Sequence, residues 1–224
     1  LKELHETDHN NEERFLRETE LLQRFNCLVH NHLVTLLATF TFHKRHYFLF
    51  PYAEYALDRY RKYKERNPKM AIGAVRWVAK QCSEIKAGID AIHEPPPMSL
   101  QGPDEKKYGR HGDIKPDNIL WFSTSSDPKG ILDISDMGLS ALNLEKSRSG
   151  LARYDIPRVP GHTPPECDVR DGKISRAYDI WTLGCLFLEL LTRLLGDQPI
   201  GKSSRENERQ NTHLQAPKTI FSSS

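Results

Sequence analysis

The sequence predicts an α+β fold, and three observations carry that reading. Apolar residues recur at helical spacing from Ile72 to Ile92. A second run, residues 178–195 (YDIWTLGCLFLELLTRLL), is apolar on nearly all sides, as a helix in a domain centre would be. Two pairs of short β-branched or aromatic runs, each pair joined by turn formers, read as hairpins.

In chain order, residues 11–26 (NEERFLRETELLQRFN) are strong helix formers. Phe15, Leu21, Leu22 and Phe25 share a broad apolar face. Asn10 or Asn11 caps the helix, and Glu12 and Glu13 favour its dipole. Residues 33–42 (LVTLLATFTF) and 46–50 (HYFLF) form the first hairpin around a polar HKR turn. AEYALDRYRKYKER after Pro51 and Tyr52 reads as a short surface helix, ended by Asn67 and Pro68.

The long helix follows, with Ile72, Val75, Val78, Cys82, Ile85, Ile89 and Ile92 as one buried stripe. Three consecutive prolines stop it, so residues 94–107 (EPPPMSLQGPDEKK) form an exposed loop. Residues 119–122 (ILWF) and 131–134 (ILDI) pair as a second hairpin through STSSDPKG. Residues 140–160 are polar and poorly periodic, and the chain from 196 onward reads as a mobile tail.

The totals narrow the function. Among 224 residues, 38% are hydrophobic and 28% charged, and the net charge is only +2. That gives no electrostatic case for a nucleic acid or an anionic membrane as partner. Cys27, Cys82, Cys167 and Cys185 lack CxxC spacing and read as buried free thiols, which fits a reducing compartment. The ten histidines lack metal-ligand spacing. The longest apolar run, Ile180 to Leu191, is too short to cross a bilayer. No leader is visible, and the expectation is a soluble intracellular protein, cytoplasmic or nuclear. The chain opens without Met and in what reads as mid-strand, as a fragment would.

Chemistry concentrates in HGDIKPDN, residues 111–118. Asp113, Lys115 and Asn118 fall within six positions on a short loop that a strand follows at once. If the second hairpin forms, Asp136 in SDMG arrives near Asp113 and Asn118. Two carboxylates and an amide suit a hard cation, magnesium in particular, and such a site implies a nucleotide. Gly138 lets the chain turn sharply beside it.

HGDIKPDN, SDMG, PPE and YDIWTLGC, in that order, resemble the motifs of the eukaryotic protein kinases. The likeness covers about residues 1–195. It extends to fungal serine/threonine kinase-like proteins, in which YGRHGD and the hinge FPYA recur. The resemblance implies a bilobal fold that lacks its first N-lobe strands and is truncated after the central helix. Residues 1–53 would be a partial N-lobe with hinge, 54–195 a partial C-lobe, and 196–224 the tail.

It also implies roles. Asp113 is the catalytic base and Lys115 contacts the γ-phosphate, while Asn118 and Asp136 hold magnesium. Lys2 meets the α- and β-phosphates and pairs with Glu18. Phe50 is the gatekeeper, Pro51 and Ala53 present main-chain groups to adenine, and Leu120 packs beneath it. Asp179 braces the catalytic loop. The cofactors are ATP and Mg2+, and the partner is a protein substrate. Read without the family, Lys2 is a solvated lysine near a terminus, Glu20 competes with Glu18, and Leu22 and Met137 are core.

Several positions depart from the pattern. Gly112 stands where an arginine is expected, which implies activity without phosphorylation of Ser140, Ser147, Ser149 or Thr163. Met137 replaces a phenylalanine, and Val159 a threonine that would link the base to Lys115. No glycine-rich loop precedes Lys2, and Glu166 lacks its usual arginine, so Glu166 is expected to be exposed or to find another cation. These departures keep open an alternative, a catalytically inactive kinase-fold binding or scaffold module.

Overall fold

The computed structural model describes residues 1–4, 11–26, 30–65, 70–95, 107–137, 141–144, 161–168 and 175–196. Strand β1 (Lys2–Glu3) is followed by helix α1 (Asn11–Asn26), then strands β2 (Ala38–Phe42) and β3 (Arg45–Leu49). They form an antiparallel sheet in the order β1-β3-β2. His43 and Lys44, both with positive φ, make the tight turn between β2 and β3. That is the backbone shape whose twist matches a two-residue hairpin.

Leu21 and Leu22 of α1 are buried, and the Phe15 ring stacks on His46 and lies against Phe48. The Phe25 side chain, the Asn10 cap, Cys27, Asn67 and Pro68 lie outside what is described. The first hairpin is shorter than expected. Leu33, Val34 and Leu36 are buried but do not pair with β3; Leu33 instead bridges to Ile134, far along the chain. Burial in the core, not the ladder, explains their apolar character.

The second half begins with β4 (Tyr55–Ala56), α2 (Leu57–Arg59) and a π-helical turn, Tyr60–Lys64. This is no surface helix, because Leu57 and Tyr60 enter the core. Helix α3 (Ile72–His93) buries Val78, Ile85, Ile89 and Ile92 as the stripe predicts. Its first turns rotate differently. Ile72 and Val75 are exposed, and Ala74, Trp77 and Gln81 take the inner face. Gln81 can be wholly buried because its amide oxygen accepts the Leu132 N–H at 2.7 Å.

Strand β5 (Lys107–Arg110) pairs with β8 (Ala141–Leu144), a two-stranded sheet that the polar stretches around both gave no reason to expect. Between them, β6 (Ile119–Phe122) and β7 (Ile131–Ile134) form the expected hairpin, with Ile119 opposite Ile134. Strand β4 adds to its edge, giving the order β4-β6-β7.

Helix α4 (Arg176–Leu194) starts at Ser175, whose hydroxyl caps the Ala177 N–H. It is not buried on all sides. Leu183, Leu186, Leu190 and Leu194 face the core, whereas Ile180, Trp181, Leu188 and Leu191 are exposed. The apolar residues of both halves otherwise join one core, from Leu4 and Leu22 through Phe48 to Ile134 and Leu186. Three small antiparallel sheets and their helices make a bilobal α+β arrangement, its halves joined in sequence by residues 50–54 between β3 and β4.

Candidate active site

The polar loop precedes β6 and is rigid for identifiable reasons. Pro116 opens a 3-10 turn, Pro116–Asn118, closed by the Asn118 N–H on the Lys115 carbonyl at 3.0 Å. Inside it, Asn118 Nδ2 donates to both the carbonyl oxygen and Oδ2 of Asp113, each at 2.8 Å. Lys115 Nζ reaches the same Oδ2 at 2.7 Å. Asp113 is therefore held from two directions through one carboxylate oxygen.

Behind the loop, His111 is wholly buried. Its Nδ1 accepts the Asp113 N–H at 3.2 Å, so Nε2 is the nitrogen that donates, to the Ser135 carbonyl at 3.0 Å. Asp179, in the first turn of α4, accepts the N–H of His111 on Oδ2 and that of Gly112 on Oδ1, both at 2.8 Å. His93 Nε2 adds a third bond to Oδ2 at 2.8 Å. Burial alone would raise the Asp179 carboxyl, but the His93 hydrogen bond, the electrostatic influence of the His111 ring and the two N–H groups together hold it below the usual carboxylate range. Gly112 has φ +83, a conformation in which a side chain is strained.

The loop is also tied to the segment carrying Asp136. The Ser135 N–H and hydroxyl both donate to the Asn118 carbonyl at 2.9 Å. Asp136 follows with φ +61, a left-handed conformation that Asp tolerates better than most residues. Lys2 Nζ closes the arrangement, 2.7 Å from Asp136 Oδ1 and 2.6 Å from Glu18 Oε1. Burial would lower the Lys2 ammonium, yet the charges of Glu18 and Asp136 outweigh it and raise it. Glu18 is buried and Glu20 exposed, which decides between the two.

The remaining candidates are apolar or main-chain groups. Phe50 is half-buried, its ring 6.3 Å from that of Phe48. Pro51 is exposed and Ala53 half-buried, on the connection between the two sheets. Leu120 is half-buried on β6, opposite Ala56 and Asp133. Ser135 and His93 were not anticipated. The serine directly before Asp136 was the only available signal, and nothing near His93 marks it.

Gly138, Ser140, Ser147, Ser149 and Val159 lie outside the described residues. Glu166 is half-buried rather than exposed, and it joins no ion pair among the described residues. Cys82, Cys167 and Cys185 are free thiols, with Cys167 buried and the other two half-buried. No described helix is long and apolar enough to cross a membrane.

The donor set can be tested against magnesium. Both Nδ2 bonds of Asn118 point to Asp113, so its amide oxygen is left as a donor, and Asp136 supplies carboxylate oxygen. Hard oxygen donors fit Mg2+. No group of three or more His, Cys, Asp or Glu is gathered for a metal among the described residues. This suits an ion that completes its shell with water and phosphate oxygens.

Three small sheets with their helices, and the acid, lysine and amide gathered on the loop before β6, are the features to compare with known proteins. The model of the protein kinase domain family matches residues 1–222, and the chain belongs to that family. It is similar to human cyclin-dependent kinase-like 4, at 30% identity over 79% of this chain and 39% of that protein. It is also similar to Drosophila melanogaster cyclin-dependent kinase 8, at 28% over 79% of this chain and 36% of the relative. For mouse serine/threonine-protein kinase ICK the identity is 29%, over 79% of this chain and 24% of the relative. The chain thus matches well under half the length of these relatives.

Proposed function

We propose that the protein is a serine/threonine kinase domain that transfers the ATP γ-phosphate to a protein hydroxyl. The observation that carries this reading is the single chain of contacts Glu18–Lys2–Asp136, with Ser135 bonded in turn to Asn118. It gathers a cation, two hard-oxygen donors and the loop of Asp113 from four distant parts of the sequence.

Asp113 Oδ2 accepts from Lys115 and Asn118, which leaves Oδ1 to orient a substrate hydroxyl and take its proton. Lys115, on the other side of that carboxylate, neutralises charge on the transferred phosphoryl. Lys2, held by Glu18, contacts the α- and β-phosphates. Asn118 and Asp136 hold Mg2+, which when bound neutralises charge on the phosphate oxygens. Phe50, Pro51, Ala53 and Leu120 border the adenine. The name of the mouse relative, serine/threonine-protein kinase ICK, and the Lys115 position favour serine/threonine substrates, and YGRHGD with FPYA supports kinship with fungal kinase-like proteins. Residues 1–53 act as the N-lobe with hinge and 54–195 as the C-lobe of a soluble intracellular enzyme.

The test is transfer of labelled γ-phosphate to a generic basic protein, beside an Asp113→Asn control. Wild type transfers, and the variant loses activity by about a hundredfold or more. Equal signals would sink the enzymatic reading. A Mg–ATP thermal shift without transfer supports the binding module instead.

A further inference from the structure

A second titratable cluster lies where residues 30–34, which lead from α1 into β2, meet α3 and β7. The main chain makes the first bonds. The Val34 N–H donates to the Ile134 carbonyl, and the Ile134 N–H to the His32 carbonyl, both at 2.9 Å. The His32 side chain is buried between them and the helix.

Its two ring nitrogens have partners of one kind. Nδ1 is 2.9 Å from the Leu132 carbonyl oxygen and 3.5 Å from Asp133 Oδ1. Nε2 is 3.1 Å from Glu84 Oε2. A carbonyl oxygen and an ionised carboxylate only accept, whereas a neutral imidazole has a single N–H to give. The Nδ1 hydrogen bond and the Nε2 contact with the carboxylate are both attractive when the ring carries two protons.

We propose that His32 is a proton-operated clamp: as an imidazolium it ties the segment entering β2 to α3 and β7, and loss of its proton releases one of these two ties. The contact needs the proton, so it is present at low pH and weakens as pH rises through the titration of His32.

The charged neighbours come from every element around it. From α3, Glu84 faces Nε2, and Lys80 lies 4.0 Å from Glu84 and 3.8 Å from Asp127 of the β6–β7 turn. Gln81 Nε2 donates to Glu84 Oε2 at 3.3 Å. From β7, burial pushes the Asp133 carboxyl up to about 6, against the His32 charge that lowers it and Glu84 that raises it further. Above that pH Asp133 is an anion beside the ring. From its own segment, His30 Nδ1 accepts the His32 N–H at 3.3 Å, and burial followed by the His32 charge disfavours a proton on His30.

The test uses the 224-residue chain, with 15N NMR of the histidine rings and amide exchange at Val34 and Ile134 from pH 5 to 9. At the acid end of the range both His32 nitrogens should show protonated shifts. Protection of the two amides should fall on the order of tenfold as the ring titrates, the equivalent of one hydrogen bond. His32→Asn should flatten that step. A lone-pair shift on one nitrogen across the whole range, or the same step in His32→Asn, overturns the proposal. Should His32→Asn not fold, Glu84→Gln serves. It must move the His32 titration to lower pH, and an unmoved titration counts against the clamp.

Discussion

Trp77 donates its indole N–H to the Gly130 carbonyl at 2.7 Å, across 53 positions of sequence. Trp121 does the same to the neighbouring Lys129 carbonyl at 2.7 Å. Two indoles thus hold the end of the β6–β7 turn, where Asp127 accepts the N–H of Lys129 on its side chain and of Gly130 on its carbonyl. Tyr60 stacks on Trp121 with ring centroids 5.0 Å apart.

Gly130→Ala tests that grip. Gly130 has φ +75, and an added Cβ would lie 2.4 Å from the Phe122 carbonyl and 2.6 Å from the Trp121 ring. The expected loss is about 2–4 kcal/mol, from left-handed strain and the clash together. Urea unfolding followed by tryptophan fluorescence measures it, and an unchanged midpoint contradicts the packing described.

Lys2→Met should destabilise the chain as well as disable it. It leaves the Glu18 carboxylate buried and unpaired, at a cost of about 2–3 kcal/mol, less than for a fully buried pair because Lys2 is 30% exposed. Lys2→Met with Glu18→Leu removes both charges and should regain most of that stability. Unfolding curves of the three proteins decide the matter; no recovery in the double variant argues that the pair is not coupled.

Asp179→Asn should lose about 3–5 kcal/mol at pH 7, the range for breaking a buried charged network. The sign with pH follows from the direction of the shift. The folded-state carboxyl lies below its unfolded value of 3.8, so its stabilisation is complete above that pH and disappears as pH falls through the folded value. The gap between wild type and variant should therefore be constant from pH 5 to 7 and narrow below about pH 4. A gap that widens in acid contradicts the assignment.

The sequence made some features legible because they are local. ILWF and ILDI flank a turn-rich segment, so their pairing follows from neighbours, and it carries Asp136 toward Asn118. Lys2 with Glu18 was readable only through the family likeness, since nothing in LKEL distinguishes a buried lysine from a solvated one. Other features depend on partners far along the chain. Leu33 reads as strand because burial against Ile134 and strand pairing demand the same residue types. Gln81 interrupts the predicted stripe because one distant main-chain N–H satisfies it. Strands β5 and β8 are four residues each, too short for alternation to show. The exposed face of α4 escapes composition entirely, since its outward and inward residues are alike.

The bonds from Asp179 to the loop have a consequence for variation within it. They end on main-chain N–H groups, which every residue except proline possesses, so these donors do not depend on which other side chain stands at 111 or 112. The loop's placement is stored at position 179, sixty-seven residues away from Gly112. This separates where the loop sits from what its side chains are. The helix sets where the loop sits through the Gly112 N–H, while the positive φ there restricts which side chains position 112 accepts without strain.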